Sequence, residues 1–436
     1  MSNTTFLHAY FAQHAWPMAP AKRRFRSIKE VNRGMQEMHR LALTMNGVID
    51  RSLDDLEGLQ ASDYSSYQIF EAGDLVFKLI DLENIKTSRV GLVPRRGIMS
   101  PAYIRLAPNH PEVCSRFYMW YFYAAYRSNI FNGMGGGVRQ NLTATDLLEF
   151  QIPLVDLATQ EAIADFLDQE SARIQQLIER KERLTECLLG RKASLISSAV
   201  TGVDDLLESE NPTMGARRPS RAARHLDITL GKMLQSAPKT DACVEIPYLR
   251  AACVAWDRID TSSVKKMWFS ISDIASYTVK TGDMVVLEGG DVGRAAFVEK
   301  QHEGFGFQNS IHRVRAKNGE CLRFAFYWLM HMKSIEYFDS VCSKATLAHF
   351  TLDKFKAMPY PSVPESEQCA IVEKLDRETG QIDVIVDKTK ASIKKLKEYR
   401  SSLIAAAVTG QIDVASWKGS QGQPDQPTPE LDEVPA

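Results

Sequence analysis

Two long stretches of the chain place apolar residues at alternating intervals of three and four positions. Neither stretch contains a proline, and charged residues lie between the apolar ones. An apolar period near 3.5 residues predicts a coiled-coil helix with a narrow apolar seam. The first helix would be about 65 Å long at roughly 1.5 Å per residue. The predicted seam residues are Ile163, Leu167, Ile174, Leu177, Leu184, Leu188, Leu195, Ile371, Leu375, Ile382, Ile385, Leu396 and Leu403.

The second stretch repeats the first at a constant offset. The sequence AVTG occupies Ala199–Gly202 and recurs 208 residues later at Ala407–Gly410. The same offset aligns Gln160 with Gln368. In both copies a glycine follows the last apolar turn, where a left-handed residue ends a helix at little steric cost. A register kept over such a distance indicates that the chain consists of two related halves.

The narrow seam favours packing of the two long helices on each other. The alternative is that each helix packs on its own domain, although such a helix usually has a broader apolar face. The seam alone does not determine whether a helix pair is parallel or antiparallel.

The region ahead of each long helix follows one plan and predicts an α+β fold. Each half has a glycine–aspartate turn between apolar residues, at Gly73-Asp74 and at Gly282-Asp283. Matching strands and aromatic helices follow in each half: Tyr103–Leu106 with His312–Val314, and Phe117–Arg127 with Phe324–Met332. The plan is shared while the other residues differ, as expected of two readers of different targets.

These patterns divide the chain into six segments. A strand-rich body covers residues 1–150 and the first long helix 151–205. A linker at 206–225 leads to the second body at 226–358. The second long helix covers 359–414, and a proline-rich, acidic tail at 415–436 is predicted to be disordered.

Composition sets only broad limits on function. The chain has 436 residues, a net charge of −1 and 25% charged residues, which is ordinary for a globular protein of two or three domains. No apolar run approaches the roughly 20 residues of a membrane span, and no signal peptide is recognisable. The seven cysteines are scattered without a C-x-x-C pair, which favours reduced thiols in the cytoplasm.

Motifs for catalysis are missing from the sequence. There is no phosphate-binding G-x-x-x-x-G-K-[ST] loop, no paired histidine or cysteine metal site, and no N-P-P-Y methyltransferase loop. We therefore expect no catalytic residue, no metal site and no cofactor in this chain.

Basic and amide side chains in both bodies are candidates for DNA contacts. Arginine, asparagine and glutamine can bond base edges in pairs, and lysine binds phosphates. Each of these residues could equally be an ordinary surface residue. The candidates are Lys78, Arg95, Arg96, Arg105, Arg139, Arg294, Gln308, Asn309, His312 and Lys344.

The layout resembles the specificity subunit of type I restriction–modification systems. The resemblance rests on Ile152-Pro153 followed by Thr159-Gln160, on Met358–Pro361 followed by Glu367-Gln368, on the two glycine–aspartate turns and on the two AVTG ends. It covers almost the whole chain. The family pattern has Glu-Gln at the helix start, so Thr159 departs from it.

The resemblance implies a fold and a role. Two target-recognition domains are separated by two helices that form an antiparallel coiled coil. Each domain reads one half of a split, asymmetric site in double-stranded DNA. The subunit is not an enzyme. Two modification subunits methylate adenine with S-adenosylmethionine, and restriction subunits use ATP and Mg²⁺. The complex is cytoplasmic and does not involve a membrane.

Two other functions are compatible with parts of the pattern. A non-catalytic scaffold with two unlike heads would bind proteins through the same coiled coil and would show no salt-dependent affinity for DNA. A self-contained nuclease or methyltransferase would need a metal or cofactor motif of the kind that is missing.

Overall fold

The structure is a computed structural model that describes residues 15–44, 47–52, 63–79, 89–134, 141–202, 219–342 and 349–414. The chain forms two compact units. Unit 1 is Met1–Lys181 with Ala391–Ala436, and unit 2 is Glu182–Lys390. Both long helices are divided between the units, so the units are not the consecutive segments predicted from the sequence. Residues 206–218 of the predicted linker and the predicted tail lie outside the described residues.

The body of unit 1 is built on a four-stranded antiparallel sheet in the order β2-β9-β6-β7. Smaller antiparallel pairs join β1 to β10, β3 to β4 and β5 to β8. The strands are β1 (Met18–Pro20), β2 (Phe25–Ser27), β3 (Leu41–Thr44), β4 (Gly47–Asp50), β5 (Gln68–Phe70), β6 (Leu75–Phe77), β7 (Val90–Leu92), β8 (Gly97–Met99), β9 (Ile104–Pro108) and β10 (Gln151–Pro153). The helices are a 3-10 turn (Ala21–Arg23), α1 (Ser115–Arg127), α2 (Ile130–Met134), α3 (Ala144–Glu149) and the first part of α4 (Leu157–Thr201).

Unit 2 repeats this plan with the sheet order β12-β20-β17-β18. It adds β13 between antiparallel β16 and parallel β19, and it pairs β11 with β21 and β14 with β15. The strands are β11 (Pro219–Arg221), β12 (Leu226–Leu230), β13 (Val244–Leu249), β14 (Val254–Ala255), β15 (Arg258–Ile259), β16 (Lys265–Phe269), β17 (Met284–Leu287), β18 (Ala295–Phe297), β19 (Gly306–Phe307), β20 (Ile311–Ala316) and β21 (Pro359–Pro361). The helices are α5 (Ala222–His225), α6 (Ile271–Tyr277), α7 (Leu322–Ser334), α8 (Tyr337–Val341), α9 (Leu352–Ala357), α10 (Glu365–Val408) and two 3-10 turns (Ala251–Cys253, Lys300–His302).

The helix ends predicted from the two AVTG sequences are confirmed. Helix α4 ends at Thr201 and α10 at Val408, close to the following glycines. Gly202 has φ +73° and Gly410 φ +74°, a left-handed conformation that glycine adopts without steric cost. The predicted strands and aromatic helices are also present as β9, β20, α1 and α7.

The long helices pack against each other in antiparallel directions within each unit. In unit 1, Arg400 of α10 donates to Gln175 of α4 at 2.8 Å, and Ile404 shares a core with Leu167. In unit 2, Lys192 Nζ lies 2.6 Å from Asp383 Oδ1, and Val200 shares a core with Leu375. Residue numbers therefore rise along one helix as they fall along the other.

The predicted seam is wrong in its period. Leu177, Leu184 and Ile385 are 38%, 46% and 45% exposed, whereas Ile178 and Thr185 are buried. Buried positions on α4 follow an eleven-residue spacing over part of the helix. The first series contains the buried residues Ile163, Ile174, Thr185 and Ile196, and the second contains Leu167, Ile178 and Val200 but is interrupted at Leu189, which is 45% exposed.

The second helix follows the same series at the offset of 208. Leu375, Val386 and Val408 are buried, as are Ile382 and Ile404. The predicted seam residues Leu188, Leu195, Ile371, Leu396 and Leu403 are half-buried. The two long helices therefore pack on each other as predicted, and their seam lies one position away from the heptad prediction over much of its length.

Candidate nucleic-acid interface

A buried glutamine joins each long helix to the body that precedes it. Gln160 accepts a hydrogen bond from Cys114 N at 2.8 Å and donates to Val155 O at 2.7 Å. Gln368, its counterpart 208 residues later, accepts from Cys321 N at 2.9 Å and donates to Val363 O at 2.8 Å. Both side chains are almost fully buried, so each satisfies backbone groups that water cannot reach.

About two turns further along, an aspartate hydrogen-bonds to an aromatic helix in each unit. Asp168 accepts from Arg116 at 2.8 Å and from the Trp120 indole at 2.7 Å. Asp376 accepts from Arg323 at 2.9 Å and from the Tyr327 hydroxyl at 2.6 Å. The two units therefore repeat a polar joint as well as a topology.

The glycine–aspartate turns repeat in geometry as well as in sequence. Gly73 and Gly282 both have φ +87°. Asp74 accepts from the Glu71 amide at 2.7 Å, and Asp283 accepts from the Lys280 amide at 2.8 Å. Each aspartate also pairs with an arginine of the neighbouring central strand.

The arginines that pair with these aspartates are structural. Arg105 Nε lies 2.5 Å from Asp74, while the Arg105 guanidinium donates to Ile69 O at 2.7 Å. Desolvation by burial raises the pKa of Asp74, against the opposing effect of Arg105. In unit 2 the two tasks are divided: Arg315 Nε pairs with Asp283 at 2.6 Å, and the guanidinium of Arg313 donates to Thr278 O at 2.9 Å.

Two predicted DNA contacts are therefore corrected. Arg105 is 4% exposed and His312 is fully buried, so neither side chain reaches the surface. His312 Nε2 lies 2.7 Å from Phe350 O, and burial lowers the pKa of this imidazole. These residues hold the sheet together and do not contact bases.

Arg95 and Arg96 are exposed but already paired with carboxylates. Arg95 Nε donates to Asp50 at 3.0 Å. Arg96 Nε donates to Glu37 at 3.2 Å, and Arg96 also pairs with Glu71. A guanidinium in such an ion pair must give up a carboxylate before it can bind a phosphate or a base.

Three candidates of unit 2, Arg294, Gln308 and Asn309, differ in their surroundings. Arg294 Nε donates to Asp291 at 2.8 Å, and Lys333 pairs with the same aspartate. Gln308 and Asn309 are half-buried at the end of β19, where their backbone amides bond to Leu249 O and Lys232 O. These three residues remain predicted DNA contacts.

Of the remaining three candidates, only Lys78 lies among the described residues. Lys78 is half-buried next to β6, and its backbone amide donates to Arg89 O at 3.0 Å. Arg139 and Lys344 lie outside the described residues.

A basic segment that the sequence reasoning missed lies at the start of unit 1. Residues 22–33 contain six cationic side chains and a single acidic one, Glu30. Lys22 pairs with Glu149 at 2.7 Å, and Arg24 pairs with Glu112 at 3.1 Å. The local density of arginine and lysine in the sequence indicates this segment, although the net charge of the whole chain is close to zero. The remaining cations of the segment are Arg23, Arg26, Lys29 and Arg33.

The described part of the chain shows no group of three or more histidine, cysteine or acidic side chains that could hold a metal ion. Each of the seven cysteines is a free thiol. Among the helices of that same part, none is long and apolar enough to cross a membrane.

Comparison with known proteins bears directly on this repeated arrangement. The family model for the type I restriction modification DNA specificity domain matches residues 44–186 and 242–395, one match in each half. Together the matches cover more than half of the chain. The chain belongs to this family. The specificity-domain assignment thus agrees with the resemblance found in the sequence.

One curated relative and several solved structures are similar to the chain at low sequence identity. The type I restriction enzyme StySPI specificity subunit of Salmonella potsdam is 21% identical over 300 residues, which are 67% of this chain and 64% of that protein. A chain from the structural work on complex assembly and conformational transition of the type I R-M system has a TM-score of 0.63 at 14% identity, over 91% of this chain and 98% of that one. The HsdS subunit from Thermoanaerobacter tengcongensis has a TM-score of 0.50 at 15% identity, over 91% and 97%. The predicted fold, two strand-rich domains with two long antiparallel helices, is confirmed.

Proposed function

We propose that the chain is the DNA sequence-recognition subunit of a type I restriction–modification complex. The observation that carries this proposal is the double construction within a specificity-domain family. The same glutamine, aspartate and glycine–aspartate joints support two bodies whose surface side chains differ. Such a design suits a protein that presents two different reading surfaces, each to one half of a split, asymmetric site in double-stranded DNA.

The long helices support docking of two modification subunits. Several apolar side chains on these helices are exposed, and exposed apolar surface favours a protein partner over water. They are Leu177 and Tyr399 in unit 1, and Leu184, Leu189, Val384 and Ile385 in unit 2. Under this proposal, the modification subunits bring S-adenosylmethionine and methylate adenine, and restriction subunits bring ATP and Mg²⁺. The chain itself contributes recognition without catalysis and works in the cytoplasm.

A domain exchange tests the recognition role. Residues 50–132 are replaced by the corresponding segment of another family member, and the chain is produced with its modification subunits. We expect methylome sequencing to show a change in one half of the methylated site and an unchanged second half. An exchange of the second body, residues 226–358, is the matched control and should change the other half.

Two results would contradict the proposal. A complex that methylates no defined site, with a folded and assembled chain, would argue for a protein-binding scaffold. A change in both halves of the site after one exchange would show that the two bodies do not read DNA independently.

A further inference from the structure

In and beside the edge strand β2, unit 1 carries four cationic side chains that form no ion pair within the described part of the chain. Arg23, Arg26, Lys29 and Arg33 are all exposed. Within the described residues, none of these four side chains has a hydrogen-bond or ion-pair partner. We call these four residues the basic edge. Their positive charges are uncompensated, unlike those of Arg95 and Arg96.

Buried neighbours fix the backbone of this edge. Phe25 is 1% exposed and anchors β2, the outer strand of the four-stranded sheet, beside β9. Asn32 is fully buried, and its amide group donates to Glu37 O at 2.8 Å while its oxygen accepts from Glu37 N at 2.9 Å. The cationic side chains on either side of these anchors are therefore presented from a defined backbone, which lowers the entropy lost on binding.

Unit 2 repeats this charge pattern only in part. Phe25 pairs with Pro108 across β2 and β9, and Leu226 pairs with Ala316 across β12 and β20, so the two edges can be aligned by register. Arg26 then corresponds to Asp227, whereas Arg23 corresponds to Arg224, which is also exposed. The edge strand of unit 1 therefore carries a cation where that of unit 2 carries a carboxylate.

We infer that the basic edge binds the phosphate backbone of DNA beside the half-site read by unit 1. This inference rests on the proposed function. Uncompensated arginine and lysine side chains suit phosphates, because releasing the counterions condensed on DNA drives such binding. Contacts to phosphates position a protein on the duplex and carry no sequence information. The basic edge therefore supplies affinity for the first half-site and leaves the choice of bases to other residues.

The test measures the salt dependence of binding by the full chain in complex with its modification subunits. Dissociation constants are measured by fluorescence anisotropy between 50 and 200 mM salt, on duplex DNA that contains the methylated site. The variant carries Arg23→Gln, Arg26→Gln, Lys29→Gln and Arg33→Gln. We expect the slope of log affinity against log salt to become less steep by about 3 to 4, at about 0.9 for each phosphate contact. The ratio of the affinities of the unchanged chain and the variant should then fall by roughly 100-fold between 50 and 200 mM salt.

Two single-residue variants distinguish a phosphate contact from an effect of net charge. Arg26→Gln and Lys22→Gln each remove one positive charge from the same segment, but Lys22 is already paired with Glu149. Only Arg26→Gln should change the slope, by about 0.9. Equal changes in both variants would mean that net charge alone acts, and the inference would be wrong. Circular dichroism and thermal unfolding establish that all variants are folded.

The remaining outcomes also decide the question. A four-residue variant with an unchanged slope overturns the inference, while specific binding by the same complex leaves the proposed function intact. A methylated site that changes in sequence would show that these side chains read bases, which also contradicts a phosphate role. If the unchanged complex binds the site no better than random DNA, the proposed function itself fails.

Discussion

Unit 1 and unit 2 use the same polar joints but fill the space behind them differently. In unit 2, Phe326 of α7 packs edge-to-face against Trp256 and at a tilt against Phe297, with ring centroids 5.7 and 5.6 Å away. The Arg323 guanidinium lies 4.7 Å from the centre of the Phe326 ring. The equivalent helix position in unit 1 is Met119, which lines a groove of about 550 Å³. The polar joints therefore have the same arrangement in both units, whether or not the apolar space beside them is filled.

Removing the central aromatic ring of unit 2 should have the largest effect on stability. Phe326→Ala deletes a side chain that is 3% exposed, and we expect it to destabilise unit 2 by about 3–5 kcal/mol. Met119→Ala is the matched change in unit 1 and should cost clearly less, because Met119 is only half-buried. Hydrogen–deuterium exchange of α7 and α1 measures each unit separately, since two units need not unfold in one step.

Equal losses from the two substitutions would remove the contrast between the units. That result would mean that the groove beside Met119 closes around it in solution.

Acid should loosen unit 2 before unit 1. Burial lowers the pKa of His312 and of His331 in unit 2. A histidine with a lowered folded-state pKa contributes stability that is complete above its unfolded pKa, near 6.5, and is lost as the pH falls through its folded value. Unit 1 carries Ile104 and Ala124 at the corresponding positions of β9 and α1, which do not titrate.

Hydrogen–deuterium exchange at pH 7.5, 6.0 and 5.0 checks this expectation. Peptides from β20 and α7 should gain more exchange on acidification than peptides from β9 and α1, after correction for intrinsic rates. His331 Nδ1 lies 2.6 Å from the Ser197 hydroxyl. His331→Ala combined with Ser197→Ala should reduce the acid response of α7. A response that survives this double substitution would have to come from another group.

The smallest expected difference concerns one hydroxyl in each long helix. Thr379 donates to Leu375 O at 2.7 Å, whereas the Ser171 hydroxyl is buried with no hydrogen-bond partner in the described structure. Thr379→Val should cost about 1 kcal/mol, because it removes a satisfied hydrogen bond. Ser171→Ala should be neutral or slightly stabilising, because it removes an unsatisfied polar group. Differential scanning fluorimetry of the two variants provides the measurement.

Local signals predicted the frame of the molecule correctly. The helix ends at Gly202 and Gly410 and the turns before Asp74 and Asp283 depend only on nearby residues, so the local sequence is enough to predict them.

The heptad prediction of the seam was wrong for a different reason. Apolar residues occur in adjacent pairs, such as Leu177-Ile178 and Leu195-Ile196. Periods of 3.5 and 3.67 residues differ by one position after about 20 residues, so adjacent apolar residues satisfy both.

The candidate site was harder to predict because burial and pairing depend on distant parts of the chain. Nothing near Arg105 in sequence shows that Asp74, 31 positions earlier, will pair with it in the interior. The same holds for Arg96, which meets Glu37 and Glu71 only after the chain has folded. The basic edge is a run of arginines and lysines in the sequence, but only the folded structure separates its unpaired cations from Lys22 and Arg24, which pair with distant glutamates.

The eleven-residue period limits how the long helices can change in length. Eleven residues make three complete turns, so a block of that size restores every buried position to its original side of the helix. An insertion of one or two residues turns the remainder of the helix by roughly 100 to 200° about its axis and exposes part of the buried line. A matched insertion of eleven residues in both helices would lengthen the pair by about 16 Å, at about 1.5 Å per residue, and would keep the buried line facing the partner helix. A change of one residue in one helix therefore alters the packing as well as the length.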